Sequence, residues 1–344
     1  MNEHLSMMAR WPYAFGMPEA QGYVKSIPED FIVEEILGFD LSGEGEHLFL
    51  WVEKTNENTE TVARQLADLA GIPRRQISYA GLKDRQAVTR QWFSLHLPGK
   101  KNPDWRLWGN FGFSVLKAVR HHRKLKKGAL TGNRFRLRVR DITGDCDGVE
   151  ARICQLAELG IPNYFGSQRF GYEGENVKHA TAWFQGELTV KSRHLQGIYL
   201  SAARAWLFNQ VLAARISKQA WNQPLNGDLL MFDGSGAFFR AEKLDEAIGT
   251  RVRQQHLHPS GPLWGVGDDK ASHEAGEIEL QAIKEYPQLA QGLEKYRVKL
   301  SRRPLRARLQ DFEWEWRDKD LQLSFSLPSG SYATAVLREL VLVN

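Results

Sequence analysis

Short stretches in which apolar and polar residues alternate mark the N-terminal part of the chain, and this period of two predicts β-strands. The predicted strands cover residues 23–25, 31–36 and 48–53. Apolar residues then recur at helical spacing after Asn58 and Thr59, either of which can cap the start of a helix. The N-terminal part is therefore expected to combine several strands with one helix.

Later segments extend this mixture of strands and helices. In residues 134–140 four arginines alternate with three apolar residues, so one face is expected to pack and the other to meet solvent or phosphate. Residues 199–216 and 272–293 predict helices, whereas the Gly- and Pro-rich residues 259–265 predict a loop. Strand patterns return after Arg306. We interpret this order as an α+β fold in which a sheet domain is split by an insertion of about 150 residues, a typical domain size.

Composition agrees with a soluble globular protein. The chain has 344 residues, of which 42% are hydrophobic and 25% charged, and its length suggests two domains. No stretch approaches the roughly 18 apolar residues of a membrane span, and residues 1–6 show no secretory signal, so a cytoplasmic location is expected. Cys146 and Cys154 lie eight apart in a predicted helix, which argues against a disulfide or a thiolate metal site.

Positive charge is concentrated in one segment. No Asp or Glu occurs between Asp104 and Asp141. The segment contains eleven cationic residues, which are Arg106, Lys117, Arg120, Arg123, Lys124, Lys126, Lys127, Arg134, Arg136, Arg138 and Arg140. Such a run is typical of a surface that binds a phosphate backbone, although a solvated basic face or a contact with anionic lipid has the same composition.

One carboxylate, Asp84, stands between Lys83 and Arg85 in a turn that joins two strand-like runs. Flanking cations favour the ionised carboxylate, which keeps an anionic nucleophile or base available at neutral pH. Lys83 is the expected partner of this carboxylate, while Arg85 is a candidate for contact with phosphate. A solvated turn with an incidental ion pair has the same local pattern, so other segments have to decide.

Three segments together carry a resemblance to a known family. They are residues 79–95 around Asp84, residues 162–171 (PNYFGSQRFG) and residues 327–339 (LPSGSYATAVLRE). In this order they resemble the TruD-type tRNA pseudouridine synthases. Supporting similarity lies in residues 28–31, 43–47, 122–126, 132–135 and 200–210, so that it spans nearly the whole chain.

The resemblance implies a fold and an activity. The fold would be a pseudouridine synthase catalytic domain with a mixed, mainly antiparallel sheet, formed by residues 1–158 and 307–344, with an inserted α/β TRUD domain at residues 159–306. The activity would be isomerisation of uridine to pseudouridine in tRNA, at uridine 13 in bacterial members. The resemblance implies no metal or organic cofactor, and we expect a monomer whose partner is tRNA.

The resemblance also implies roles for individual residues. Asp84 would be the catalytic aspartate, and Phe31, Asn133 and Phe135 match residues that the family places around the target base. Tyr332 occupies an aromatic position that is often Phe in the family. Phe135 has an alternative interpretation as a core residue, because it shares strand parity with Leu137 and Val139. Asn133 has an alternative interpretation as a turn residue, because it stands alone before a predicted strand. Lys25 is a further candidate, because it lies close to Phe31 in the sequence.

The chemistry requires only one anionic group. Conversion to pseudouridine breaks the bond from N1 to C1′, turns the base and joins C5 to C1′. The aspartate can attack C1′ covalently or remove the C2′ proton, and the sequence leaves both routes open. The uridine must leave its stack, at a cost of a few kcal/mol, and stacking on aromatic side chains recovers roughly 1 to 3 kcal/mol per base.

Two other classes of protein remain as alternatives. A non-catalytic RNA-binding or tRNA-folding protein would use the same basic segment without needing Asp84. A metal-dependent nuclease fits less well, because His256 and His258 have no third ligand at useful spacing. The glycine-rich sequence of a nucleotide-binding P-loop does not occur either.

Overall fold

The computed structural model describes residues 11–109 and 111–343. Residues 1–6, on which the expectation about a secretory signal was based, lie outside this part. The strands are β1 (Gln21–Val24), β2 (Phe31–Leu37), β3 (His47–Thr55), β4 (Ile77–Tyr79), β5 (Val88–His96), β6 (Phe113–His121), β7 (Leu130–Thr143), β8 (Ile161–Pro162), β9 (Asp228–Phe232), β10 (Phe238–Ala241), β11 (Leu257–Leu263), β12 (Ser301–Pro304), β13 (Arg306–Ala307), β14 (Gln310–Arg317), β15 (Asp320–Pro328) and β16 (Leu342–Val343). The α-helices are α1 (Thr59–Leu69), α2 (Cys146–Leu159), α3 (Glu175–Gln185), α4 (Arg193–Ser217), α5 (Glu246–Arg253), α6 (His273–Lys284), α7 (Pro287–Lys295) and α8 (Ala333–Leu340).

The chain forms two compact units. The first, which we call the sheet unit, comprises residues 22–143 and 310–330. The second, the helical unit, comprises residues 144–309 together with the described residues before 22 and after 330. The division into a catalytic domain and an inserted domain with boundaries at residues 158 and 306 stays a prediction.

The sheet unit is built around one large sheet. Its strands follow the order β14-β15-β7-β2-β5-β3-β6, and β4 pairs with β5. Every neighbouring pair in this order is antiparallel except β2 and β5, which are parallel. The expected mixed, mainly antiparallel sheet is therefore confirmed.

Alternation along the strands separates the two faces of this sheet. On β7 the side chains of Phe135, Leu137 and Val139 are buried, as the pattern predicted, and the arginines between them point to the other face. Helix α1 covers part of the buried face, where its Val62 and Leu66 join the core formed by β3 and β5. This packing fixes the start of α1 beside the loop between β4 and β5.

The helical unit contains the long helix α4 and a smaller sheet of order β10-β9-β11-β12. The prediction of a loop at residues 259–265 is wrong, because residues 257–263 form the buried strand β11. A Cβ atom at Gly261 would lie 2.9 Å from a methyl group of Leu305, so close packing selects glycine in this strand. The helical stretch predicted at residues 272–293 is two helices, since Pro287 begins a new one.

The structure also bears on membrane spans and on the two cysteines. Among the described residues, no helix has both the length and the apolar character needed to cross a membrane. Cys146 and Cys154 are both exposed free thiols on α2.

Candidate active site

Asp84 lies in the loop between β4 and β5, which is the connection between two strands that the sequence predicted. Its carboxylate oxygen Oδ2 accepts a hydrogen bond of 2.8 Å from the ammonium Nζ of Lys25. The two side chains are 31% and 25% exposed, respectively. A carboxylate that is both ion-paired and partly open to solvent is available for a reacting group.

Lys25 connects this carboxylate to an aromatic ring. Its Nζ lies 4.1 Å from the centroid of the Phe31 ring, in a cation–π contact. The backbone of Lys25 has φ of 56°, in the left-handed region that non-glycine residues rarely adopt. The strained backbone and the two side-chain contacts together hold the ammonium between the ring and the carboxylate.

The Phe31 ring belongs to an aromatic row on the buried face of the sheet. It packs edge-on against Phe135 at 6.2 Å, and Phe135 lies 5.5 Å from Phe325. Phe31 and Phe135 are only 4% and 6% exposed, which agrees with the core role that strand parity predicted for Phe135.

Asn133 follows the same strand parity as Phe135, two residues before it on β7. Its side-chain oxygen Oδ1 is buried, and no hydrogen-bond partner for it occurs within the described part of the chain. A buried carbonyl oxygen without a donor costs free energy unless a ligand or water supplies one. Asn133 is a strand residue, so its interpretation as a turn residue is wrong.

The two residues that flank Asp84 differ in their contacts. The Lys83 ammonium forms an ion pair of 2.6 Å with Glu35, so the expectation that Lys83 is the ion-pair partner of Asp84 is wrong. Arg85 is exposed and donates from Nε to the main-chain oxygen of Asn56 at 3.2 Å. Neighbours in a strand-end loop point in different directions, which is why adjacency in the sequence was misleading.

Sequence analysis missed two buried charged residues beneath this loop. Lys54 is 1% exposed, and its Nζ donates to the main-chain oxygen of Asp84 at 2.8 Å. Glu35 is 5% exposed and accepts from the main-chain N–H of Trp92 at 2.9 Å. Burial raises the pKa of Glu35, while Lys83 and the N–H of Trp92 oppose that rise.

The burial of both residues could have been predicted from the alternation of buried and exposed positions along their strands. Lys54 has the same parity as the buried Leu50 and Val52 on β3, and Glu35 has that of Phe31 and Val33 on β2. A charged residue on the core-facing side of a strand is uncommon and points to a partner or a function.

Polar contacts also fix the main chain before Asp84. The hydroxyl of Thr59, at the start of α1, accepts from the Lys83 main-chain N–H at 3.1 Å and donates to Gln91 at 3.0 Å. The side-chain amide of Gln91 donates in turn to the main-chain oxygen of Gly81 at 3.4 Å. Thr59 therefore anchors the loop, and Asn58 occupies the N-cap position without a side-chain capping bond.

Tyr332 lies in the helical unit, at the N-cap position of α8. Its hydroxyl accepts from the Arg169 guanidinium at 3.0 Å, and its ring packs against Phe165 at 6.1 Å. Both contacts belong to residues 162–171, one of the segments that carried the resemblance.

The arginine face of β7 is matched by carboxylates. Ion pairs join Arg134 to Asp311, Arg136 to Glu34, Arg138 to Asp320 and Arg140 to Asp30, at 3.6, 2.7, 2.6 and 2.7 Å. This face meets solvent as expected, since the side chains of Arg134 and Arg136 are 49% and 50% exposed, but protein carboxylates pair with all four arginines. A cavity of about 450 Å³ opens on this face, and its charged lining residues are Glu29, Asp30, Glu313 and Glu315 together with Arg136, Arg138 and Arg140. It lies on the face opposite Phe31 and offers no net positive charge to a phosphate.

The loop of residues 122–128 differs from that face. Leu125 is 1% exposed and packs in a cluster with Phe49 and Ala80, and the Gly128 N–H donates to the Ala80 main-chain oxygen at 3.1 Å. The exposed cations of this loop are Arg123, Lys124, Lys126 and Lys127, and none of them forms an ion pair with any described residue. The loop thus presents uncompensated positive charge beside the segment that carries Asp84.

Within the described residues, no group of three or more His, Cys, Asp or Glu side chains is arranged to hold a metal ion.

Comparisons with known proteins point to one family. The family model described as tRNA pseudouridine synthase D (TruD) matches residues 8–184 and 175–340. A protein named tRNA pseudouridine synthase D from Methylococcus capsulatus is 48% identical over 331 residues, covering 96% of this chain and 94% of that protein. Another of the same name from Hydrogenovibrio crunogenus is 45% identical over 334 residues, covering 97% and 96%.

A solved structure supports the fold. The crystal structure of a candidate tRNA pseudouridine synthase D (TruD) from Methanosarcina mazei superposes with a TM-score of 0.73 at 25% identity, covering 96% of each chain. The expected α+β pseudouridine synthase fold is confirmed by this likeness and by the mixed sheet. Because the family model matches nearly the whole chain and the relatives share almost half of its residues, the chain belongs to the tRNA pseudouridine synthase D (TruD) family, a family of isomerases that act on tRNA.

Proposed function

We propose that this chain isomerises uridine to pseudouridine in tRNA, at uridine 13, and that Asp84 is the catalytic nucleophile or base. The observation that supports this most is the arrangement of Lys25, Phe31 and Asp84, in which one ammonium contacts both the ring and the carboxylate. The ammonium stabilises the negative charge of the carboxylate without covering it, since Asp84 stays partly exposed.

The chemistry follows from this placement. A carboxylate held ionised attacks C1′, or removes the C2′ proton, once the uridine has been turned out of its stack. After the bond from N1 to C1′ breaks, the uracil turns and C5 bonds to C1′, and the proton on C5 is then lost. The same ammonium also offers a donor to a ribose or uracil oxygen near the reacting atoms.

For recognition of the base we favour side chains on the buried face of the large sheet. Asn133 has a buried acceptor oxygen with no donor among the described residues, which suits the N3–H of uracil. Phe31 and Phe135 provide an apolar boundary beneath the base, and the role of Tyr332 stays the one implied by the resemblance.

For the grip on the tRNA backbone we favour the loop of residues 122–128 over the arginines of β7. Exposed lysines without carboxylate partners release counterions from RNA when they bind phosphates, whereas ion-paired arginines must first give up their partners. Arg85 is exposed next to Asp84 and is a second candidate for contact with phosphate.

A comparison of two charge-matched variants tests this grip. We expect Lys124→Gln/Lys126→Gln/Lys127→Gln to weaken tRNA binding and to reduce the slope of log K against log salt by about 0.7 to 0.9 for each phosphate that the variant no longer neutralises. The control Lys218→Gln/Lys284→Gln/Lys295→Gln removes the same charge from exposed positions of the helical unit. Filter binding across a salt series measures both, and equal slopes for the two variants would show that only net charge matters.

Mapping of pseudouridine tests the reaction and its position. In cells that lack this protein, position 13 of tRNA should carry uridine, and the wild-type chain should restore pseudouridine there. Restoration at another position would overturn the assignment of uridine 13. Unchanged pseudouridine in the deletion strain would favour the non-catalytic RNA-binding alternative.

A further inference from the structure

Lys54 is a buried cation placed under the loop that carries Asp84. Its side chain leaves β3 on the core-facing side and ends with Nζ 2.8 Å from the main-chain oxygen of Asp84. None of the ion pairs formed by the described residues includes Lys54. Its hydrogen bond therefore goes to the main chain of the residue that we propose as catalyst.

Stability alone does not favour this arrangement. Burying an ammonium is unfavourable, and an aliphatic side chain at this position would continue the packing of Leu50 and Val52. Burial is the main cause that lowers the pKa of Lys54, the carboxylates of Asp84 and Glu57 oppose the shift, the nearby Lys83 adds to it, and the resulting pKa is about 8. The ammonium is thus charged at neutral pH and begins to lose its proton just above it.

Two other contacts of the loop hold the residue before Asp84. Thr59 holds the main-chain N–H of Lys83, and Glu35 holds the side chain of Lys83. Lys54 contacts Asp84 itself, and it places a positive charge on the main-chain side of that residue while Lys25 places another at the carboxylate. Two cations therefore act on one aspartate from different directions.

We infer that Lys54 is a positioning residue of the isomerase, which fixes the main chain of Asp84 and supplies positive charge that favours its ionised carboxylate. This inference rests on the proposed function of Asp84. It predicts that loss of Lys54 slows turnover while leaving the affinity for tRNA almost unchanged, because Lys54 is buried away from any RNA surface.

Three substitutions separate the charge from the hydrogen bond. We expect Lys54→Met to reduce kcat by about 10- to 100-fold with KM for tRNA within about twofold of the wild type, since a lost hydrogen bond to a charged donor costs about 1.5 to 3 kcal/mol. Lys54→Gln keeps a donor without charge and should be impaired less. Lys54→Arg keeps the charge and should recover part of the rate.

The pH profile of kcat supplies a readout that a purely structural role would not change. For the wild type we expect the rate to fall as pH rises through about 8, because the charge of Lys54 is lost there. The fall should be absent in Lys54→Gln and in Lys54→Arg, whose guanidinium does not titrate in this range. If a variant does not fold, the pH profile of the wild-type kcat still tests the inference.

The outcomes distinguish this inference from the proposed function. If Asp84→Asn is inactive but folded Lys54→Met and Lys54→Gln keep wild-type kcat, or if the wild-type rate is flat from pH 7 to about 9.5, the inference about Lys54 is overturned. If Asp84→Asn keeps turnover, the proposed function fails, whatever the Lys54 variants show. Lowered thermal stability with unchanged kcat would also overturn the inference, since Lys54 would then be structural only.

Discussion

Asp84→Asn is expected to abolish pseudouridine formation while folding and tRNA binding stay near the wild-type level. Asparagine has the shape of aspartate and can still accept a hydrogen bond from Lys25, so the loop should keep its geometry. It cannot serve as the anionic nucleophile or base, a role that is worth at least about 10²- to 10⁴-fold in rate. Release of tritium from C5 of labelled uridine in tRNA measures the turnover, because C5 loses its proton when it bonds to C1′.

Asp68→Asn provides a matched control for this substitution. Asp68 is an exposed residue of α1 in the same unit, so the same loss of one negative charge should leave activity unchanged there. Retained turnover in Asp84→Asn would refute the catalytic assignment and favour a non-catalytic RNA-binding protein.

A metal-dependent nuclease would instead cut the RNA, in a reaction that stops when the metal is chelated. An intact RNA product would therefore exclude a nuclease.

Local pattern predicted the setting of Asp84 well. The residues on either side of its loop are rich in β-branched and aromatic side chains, and they form β4 and β5 as predicted. The parity of Arg134–Arg140 likewise predicted which residues of β7 are buried. In both cases the information lies within a few residues of chain, where alternation and turn chemistry decide the structure.

Partners that are distant in the sequence could not be predicted in the same way. Lys25 is 59 residues from Asp84, and Arg136 is 102 residues from the Glu34 that it binds. Such pairs depend on strand order and register, which bring β2 beside both β5 and β7. A basic segment therefore indicates positive charge in the sequence, but only the fold shows which of its cations are already neutralised.

Prolines and glycines gave the wrong local prediction at β11 for a related physical reason. Pro259 and Gly261 are turn residues by propensity, yet this strand is buried between β9 and β12. The first half of β11 pairs with β9 and the second half pairs with β12. Each edge of β11 therefore forms main-chain hydrogen bonds along only part of its length, which leaves positions where a proline without an N–H is tolerated. Tertiary packing then outweighs local preference.

Lys25→Met is expected to lower the rate of the chemical step by about 10- to 30-fold while leaving tRNA affinity within about twofold. Methionine keeps an unbranched side chain that packs over the Phe31 ring, but it removes the charge and the hydrogen bond to Asp84. Hydrogen bonds to charged groups contribute about 1.5 to 3 kcal/mol, and we take the lower part of this range because both side chains are partly exposed and screened by solvent. Single-turnover measurements at saturating enzyme isolate this step from product release.

Lys319→Met is the control for this effect, because Lys319 is an exposed lysine of the same unit that forms no ion pair among the described residues. Lys25→Arg keeps the charge but spreads it over a planar group, so it should restore only part of the lost rate. A single-turnover rate for Lys25→Met equal to that of Lys319→Met would show that the ion pair does not assist the reaction. Asp84 would then have to remain ionised through its other surroundings, among which the buried ammonium of Lys54 supplies positive charge on the main-chain side.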